Sequence, residues 1–438
     1  MKRVLSLVFC CLCYFQIMAQ DTQIKFEEYD LPNGLHVILH QDQSTPNVQV
    51  SVGYHVGSKN EVEHRTGFAH FFEHLLFEGS KNIKRGEFDK YCSNAGGYNN
   101  AYTTQDMTFY YDKFPAHQWK LGLWLESERM LHANILQIGV DTQRKVVKEE
   151  KRMRYARPYG TFLDQLMKHT YKVHPYAHTP IGSMEDLNQA KLEEFMNFYN
   201  HYYVPNNAVL VIAGDFNIKS VKAEINTYFK DIPKGEKEIV RPTVQEPAQT
   251  TEIRDVVYDN ITLPGVFMGY RTPGVASKDY QAVQLFISVL ANGASSRMYK
   301  QIVDKEQIAM ASELFNLDLE YESNSIVYSI ASQGVNPNDL EKSIDKVVDN
   351  AVENGITQKE LDKAKNIAEA EYLKSLSKMD DISQMLAKNY IFKGNTGAIN
   401  TTLNDIRSVS LDDISRVAKK YFVKDNRVVL QYLPKTQK

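Results

Sequence analysis

Cysteine is nearly absent from the working part of this chain. Of 438 residues only four are cysteine, and Cys10, Cys11 and Cys13 fall within the first twenty positions. A chain that sheds that segment keeps Cys92 alone, so no intrachain disulfide can form even in an oxidising compartment. Charge of one sign is also lacking: 51 Lys and Arg stand against 54 Asp and Glu, a net charge of −3. That leaves no basic footprint for nucleic acid or an anionic membrane surface, and neither is expected as a partner. Histidine is missing from the whole second half, since all 12 lie between His36 and His201. A histidine-based metal site can therefore exist only in the first half.

The first twenty residues hold what the rest lacks. Lys2 and Arg3 precede an apolar run from Val4 to about Met18, followed by Ala19-Gln20. The run falls short of the roughly 20 apolar residues of a spanning helix, and the pattern is that of a secretory signal peptide cleaved after Ala19. The expected protein is exported, periplasmic or secreted, with no membrane span after signal removal. With 43% hydrophobic and 24% charged residues the chain as a whole has a globular composition. It is too long for one ordinary core.

Glu27–Tyr29, a turn at Pro32-Asn33-Gly34, then alternating segments at Leu35–Leu39 and, after a polar break, Val48–Val52 read as strands with turn chemistry between them. Tyr98–Thr103, Met107–Tyr111 and Ala208–Ala213 read the same way, and helices are expected near 116–131, 139–157, 161–170 and 189–203. A polar connector carrying Pro233, Pro242 and Pro247 divides the chain into expected units at 20–235 and 251–438, with 236–250 as linker. Beyond it the sequence restarts. Tyr421-Phe422-Val423-Lys424-Asp425-Asn426-Arg427-Val428 echoes Tyr202-Tyr203-Val204-Pro205-Asn206-Asn207-Ala208-Val209. Two copies of one αβ unit follow, a tandem duplication.

The chemistry is concentrated in Gly67-Phe-Ala-His-Phe-Phe-Glu-His-Leu-Leu-Phe-Glu-Gly79. No Gly or Pro interrupts Phe68 to Glu78, so one helix capped by Gly79 is expected over this run. At 3.6 residues per turn His70, Glu73 and His74 share a face. Two imidazoles so spaced can take two corners of a zinc tetrahedron, with the carboxylate between them placed as a base. Phe68, Phe71, Phe72, Leu75, Leu76 and Phe77 mark the helix as buried, and buried polar groups need partners. The H-x-x-E-H order is that of the inverted zincins. A third ligand must come from elsewhere. In Gln143-Arg144-Lys145-Val146-Val147-Lys148-Glu149-Glu150, spacing puts Gln143 and Glu150 on one face, although spacing alone favours an exposed charged helix with i,i+4 pairs.

Four stretches taken together resemble the pitrilysin/insulinase family of zinc peptidases, in its short two-domain branch similar to mitochondrial processing peptidase. They are Thr66–Gly79, Gly96–Thr103, Val146–Glu150, and His174-Pro175-Tyr176 with Pro180-Ile181-Gly182. The resemblance implies an α+β fold of two tandem homologous domains, each a mostly antiparallel sheet with helices packed on it, forming half of a clamshell chamber. It implies Zn²⁺ bound by His70, His74 and Glu150 (rather than Glu149), with Glu73 as general base. It implies Gln143 in the second shell, where the family usually has Glu. It implies peptide substrate lying along Asn100, Ala101 and Tyr102. In the second half, Gly293–Tyr299 matches a family segment that is followed by an Arg and a Tyr for the substrate carbonyl; here Val303 and Met310 stand there. A heterodimer with a zinc-less paralogue supplying Arg and Tyr is the expected assembly. A non-catalytic binding subunit is the alternative.

Overall fold

A computed structural model describes residues 23–242 and 244–435. The expected signal peptide and its three cysteines lie outside the described residues. Two sheets carry the fold. The first contains β1 (Glu27–Asp30), β2 (His36–Gln41), β3 (Asn47–Tyr54), β4 (Tyr98–Thr103), β5 (Thr108–Pro115) and β6 (Ala208–Gly214), in the order β1-β2-β6-β3-β5-β4. The second contains β7 (Ile253–Asp259), β8 (Gly265–Pro273), β9 (Ala309–Leu317), β10 (Glu322–Ala331) and β11 (Arg427–Pro434), in the order β7-β11-β8-β10-β9. All neighbours are antiparallel except β2 with β6 and β7 with β11. Setting β1 aside, the two orders are the same, with the parallel pair in the same place. The α+β duplicate architecture follows from this correspondence.

The echo between residues 202–209 and 421–428 has a physical cause. Helix Leu192–Tyr202 ends, a short turn follows, and β6 begins; helix Leu411–Tyr421 leads into β11 in the same way. Asn207 and Asn426 each donate their side-chain amide to the last helical carbonyl, Tyr202 at 2.8 Å and Tyr421 at 2.7 Å. Each thereby satisfies an acceptor left open at the helix C-terminus.

Packing crosses between the halves. Helix Phe162–Thr170 belongs to the first half by sequence, yet Leu166 is buried with Phe267, Ile326 and Leu430 on the second sheet. Helix Met379–Lys393 reciprocates: Ile382, Leu386 and Ala387 are buried against Ile38, Phe109, Val209 and Val211 of the first sheet. Each half supplies the helix that covers one face of the other's sheet.

A charged cluster closes the junction. Lys59 is 1% exposed and its ammonium binds Asp106 at 2.8 Å and also Glu320, which comes from the β9–β10 turn. His55 meets Glu320 at 2.7 Å, and the backbone N–H of Glu320 donates to Asp106 at 3.0 Å. Burial pushes the Glu320 carboxyl up, but the His55 bond and the Lys59 charge outweigh it and hold the group below its ordinary value.

Stability should depend on this cluster far more than on the exposed pairs. Replacing Lys59 by Met strands two buried carboxylates and should cost about 3–5 kcal/mol in urea unfolding. The half-exposed bridge between Lys113 and Asp380 also joins the halves, at 2.9 Å. Lys113→Met should cost under about 1 kcal/mol.

Candidate metal centre

The His70 helix runs from Phe68 to Leu75, three residues shorter than the run without Gly or Pro predicts. The Leu76 N–H still bonds to Phe72, but the next two amides reach back only three residues, Phe77 to His74 and Glu78 to Leu75. The Leu76 carbonyl accepts instead from the buried Arg129 guanidinium at 3.0 Å. Gly79 is not the cap; it turns the chain at φ +132°, where an added Cβ would lie 2.7 Å from the Ile83 carbonyl.

The start of the helix is tied as firmly. The buried Glu61 carboxylate accepts from the Gly67 and Ala69 N–H groups, both at 2.8 Å, and meets His178 at 2.9 Å. This satisfies two of the donors orphaned at a helix start and sets negative charge against the positive end of its dipole. Tyr110 donates to the Phe72 carbonyl at 2.9 Å. Fixed at both ends and along one side, the helix presents His70 and His74 with ring centroids 4.9 Å apart.

Glu150 arrives on helix Gln137–Ala156. Val140 and Val147 bury that helix's inner face, Arg144 donates to the Leu187 carbonyl at 2.8 Å, and Lys151 donates to that of Gly182. The Glu150 carboxylate lies 3.6 Å from His70 Nε2 and 3.5 Å from His74 Nε2. Donor atoms of the three residues all fall within 4.8 Å of one another. A tetrahedral zinc with ligands near 2.0–2.1 Å has edges of about 3.4 Å, so the donor set and its spacing fit that ion. Among the described residues this is the one such group of three. Glu149 turns away and pairs with Arg152 at 2.8 Å.

The local fields suit ligation. Burial, and then the neighbouring His74, draw the His70 imidazole down to about 4, with Glu150 opposing. His70 is therefore neutral at physiological pH, the form that ligates. The hydrogen bond to His74 holds the Glu150 carboxyl below its usual value against partial burial. Glu73 behaves oppositely: burial raises it, while the Thr103 hydroxyl, donating to Glu73 Oε2 at 2.7 Å, pulls the other way.

The remaining expected residues are dispersed. Gln143, two helical turns before Glu150, donates its amide to Glu78 at 2.5 Å rather than to any of the three ligand candidates. Asn100, Ala101 and Tyr102 lie in β4, an edge strand that among the described residues pairs with β5 alone. Val303 and the exposed Met310 line a cavity of about 670 Å³ whose walls come entirely from the second half. Sequence reasoning missed Glu61, Thr103 and Arg129. Thr103 adjoins the Asn-Asn-Ala-Tyr run, but nothing in its type or spacing points to Glu73.

Comparison with known proteins identifies the class. The family profile "Insulinase (Peptidase family M16)" matches residues 36–183, and "Peptidase M16 inactive domain" matches 189–368. The chain belongs to the M16 peptidase family, and its two-domain size is that of the short branch. The zinc protease PqqE of Helicobacter pylori is 32% identical over 419 residues, covering 95% of this chain and 94% of that protein. A crystal structure of a Helicobacter pylori protease superposes with a TM-score of 0.90 at 31% identity, over 94% of this chain and all of the other. The periplasmic protease PqqL of Escherichia coli shares the fold at TM-score 0.76 and 18% identity; the match covers 93% of this chain and 47% of PqqL.

The two adjacent glutamates separate cleanly by experiment. Glu150→Gln should lower the zinc content of the purified protein by about 10-fold or more in affinity, and Glu149→Gln should leave it unchanged. Metal analysis after dialysis against a chelator series reads the difference.

Proposed function

We propose that this protein is a zinc-dependent endopeptidase or oligopeptidase acting on unfolded or short peptides. The observation that carries the reading is the convergence of His70, His74 and Glu150 with a protonatable Glu73 beside them, oriented by Thr103. A zinc ion held by those three residues would supply Lewis acidity, lowering the pKa of a water molecule to about 7. Glu73 accepts the proton of the attacking water and returns it to the leaving amine, a contribution worth roughly 10²- to 10⁴-fold. Burial suits it to the first task, because a raised carboxyl is a carboxylate more basic toward the proton of water, and the expelled amine, more basic still, takes that proton from it. The Thr103 hydroxyl fixes which oxygen faces the substrate.

Substrate is read as an added strand on the edge strand β4 along Asn100, Ala101 and Tyr102. Backbone hydrogen bonds give affinity there without demanding a sequence, which favours extended chains over folded ones. Export by a signal peptide at 1–19, to the periplasm or the medium, belongs to the same reading. So does the division into a zinc domain at 20–235, a linker at 236–250 and a metal-free domain at 251–438.

The second half points to a partner. Neither Val303 nor Met310 can donate a hydrogen bond to a developing oxyanion, and one such donor is worth roughly 10²- to 10³-fold. We infer a heterodimer in which a zinc-less paralogue supplies Arg and Tyr. The match of the second half to a profile described as inactive favours, as a second reading, a peptide-binding subunit without catalysis.

Glu73→Gln should abolish peptide hydrolysis while zinc stays near one per chain; zinc loss as deep as in His70→Ala would overturn the assignment of Glu73 as base. The purified chain should gain at least about 100-fold in activity on an unstructured peptide when the paralogue is added. Full activity alone, unchanged by the paralogue, would refute the partner.

A further inference from the structure

The turn of the His70 helix that carries Glu73 and His74 is bracketed by two side chains outside the metal-binding set. Tyr110 donates to the Phe72 carbonyl at 2.9 Å, and Arg129 donates to the Leu76 carbonyl at 3.0 Å. Those carbonyls lie two residues before His74 and two after it. The two donors form one unit. The Arg129 guanidinium lies over the Tyr110 ring, 4.5 Å from its centroid, and over the Phe88 and Phe77 rings at 4.3 and 4.6 Å. Such cation–π contacts are strongest where water is excluded.

Water is excluded here. Tyr110, Asp112, Glu126 and Arg129 are all buried. Tyr110 and Asp112 share a face of β5, and Glu126 and Arg129 stand one turn apart on helix Trp119–Leu131. Glu126 accepts from Arg129 Nε at 3.2 Å. Asp112 lies 3.8 Å from a terminal guanidinium nitrogen, near enough to feel its charge but too far for a hydrogen bond. Among the described residues, the side-chain hydrogen bonds that leave this group of four both end on the His70 helix.

Two carboxyls facing one guanidinium in the interior cannot both ionise without stranding a charge. Burial raises both; the Glu126 charge raises Asp112 further, and Arg129 opposes in each case. One proton held between the pair makes the cluster neutral. It also supplies a donor to the Asp112 oxygens and Glu126 Oε1, which otherwise have none among the described residues. A neutral, water-free cluster of this kind stays in one arrangement, and its placement passes to the backbone on either side of Glu73 and His74.

We propose that Tyr110 and Arg129 are positioning residues of the metal centre: they fix the turn that presents Glu73 and His74, with Asp112 and Glu126 holding Arg129 in place. Neither touches a reacting atom. Their effect is on aim, and sites of this kind lose function when supporting groups let a side chain drift by about 1 Å. The proposal rests on the reading of His70, His74 and Glu150 as zinc ligands.

Metal binding by the mature chain tests it, read by zinc titration against a competing chelator and by the visible spectrum of the cobalt-substituted protein, which reports ligand geometry. Tyr110→Phe removes one hydroxyl and leaves the ring beneath Arg129. Arg129→Lys keeps the charge, but a single ammonium cannot serve Glu126 and Leu76 in the plane of three rings. Each should weaken zinc binding by about tenfold or more and alter the cobalt spectrum; where Arg129→Lys fails to fold, Tyr110→Phe alone decides. Asp112→Asn places an amide donor where the shared proton stood and should keep both readouts as they are. Phe286→Leu, a change in the buried core of the second half, is the stability control and should also leave both unchanged. Unaltered zinc affinity and spectrum in Tyr110→Phe and Arg129→Lys overturn the proposal and leave the metal reading intact. A loss matched in Phe286→Leu assigns the effect to stability and overturns it as well. If the unsubstituted chain binds no zinc, the metal reading falls and this proposal falls with it.

Discussion

Lys59 is an ammonium group with almost no access to water, and the geometry around the metal centre descends from how that burial is compensated. Desolvating one charge costs several kcal/mol unless partners are fixed in place. Here the partners come from both halves, Asp106 from the β4–β5 turn and Glu320 from the β9–β10 turn. The same short segment that carries Lys59 carries Glu61, whose carboxylate holds the start of the His70 helix. The turn that carries Asp106 begins just after Thr103, which orients Glu73. One buried ion cluster therefore sets the position of the second half, the helix of two ligand candidates and the support of the base.

Much of this was legible in the sequence, and the divide is physical. The shared face of His70, Glu73 and His74 follows from helical spacing alone. Glu150 did not: spacing left it on a plausible exposed helix, and resemblance was needed to choose it over Glu149. Strand positions came from alternation and turn chemistry, and β2, β3, β4, β5 and β6 lie close to where these put them. The helix end failed because absence of Gly and Pro says where a helix can continue, not where a distant Arg129 will take a carbonyl away from it. Glu61, Thr103 and Lys59 were invisible for the same reason. Their roles are set by partners brought near through the fold, and residue type and local period carry no such information.

The duplicated halves have diverged in chemistry while keeping their frame. Helix Gln358–Ser375 packs against helix Tyr280–Ala291, as helix Gln137–Ala156 packs against the His70 helix. Glu371 is the fourteenth residue of its helix, as Glu150 is of its own. The facing helix of the second half offers Gln284, Leu285 and Ser288 to the cavity and no histidine. A cleft survives there without the donors that a metal needs.

The reciprocal covering helices, Phe162–Thr170 and Met379–Lys393, carry a historical implication. A single ancestral unit with this connectivity could not have covered its own sheet with its own copy of this helix. It would have been stable only as a pair of identical chains, each lending that helix to the other, a domain-swapped dimer closed by twofold symmetry. Joining the two genes end to end would preserve every contact while removing the requirement that both copies be alike. Asymmetry between a histidine-bearing half and a histidine-free half then becomes permissible. Swapping came first in this account, and specialisation was its dividend.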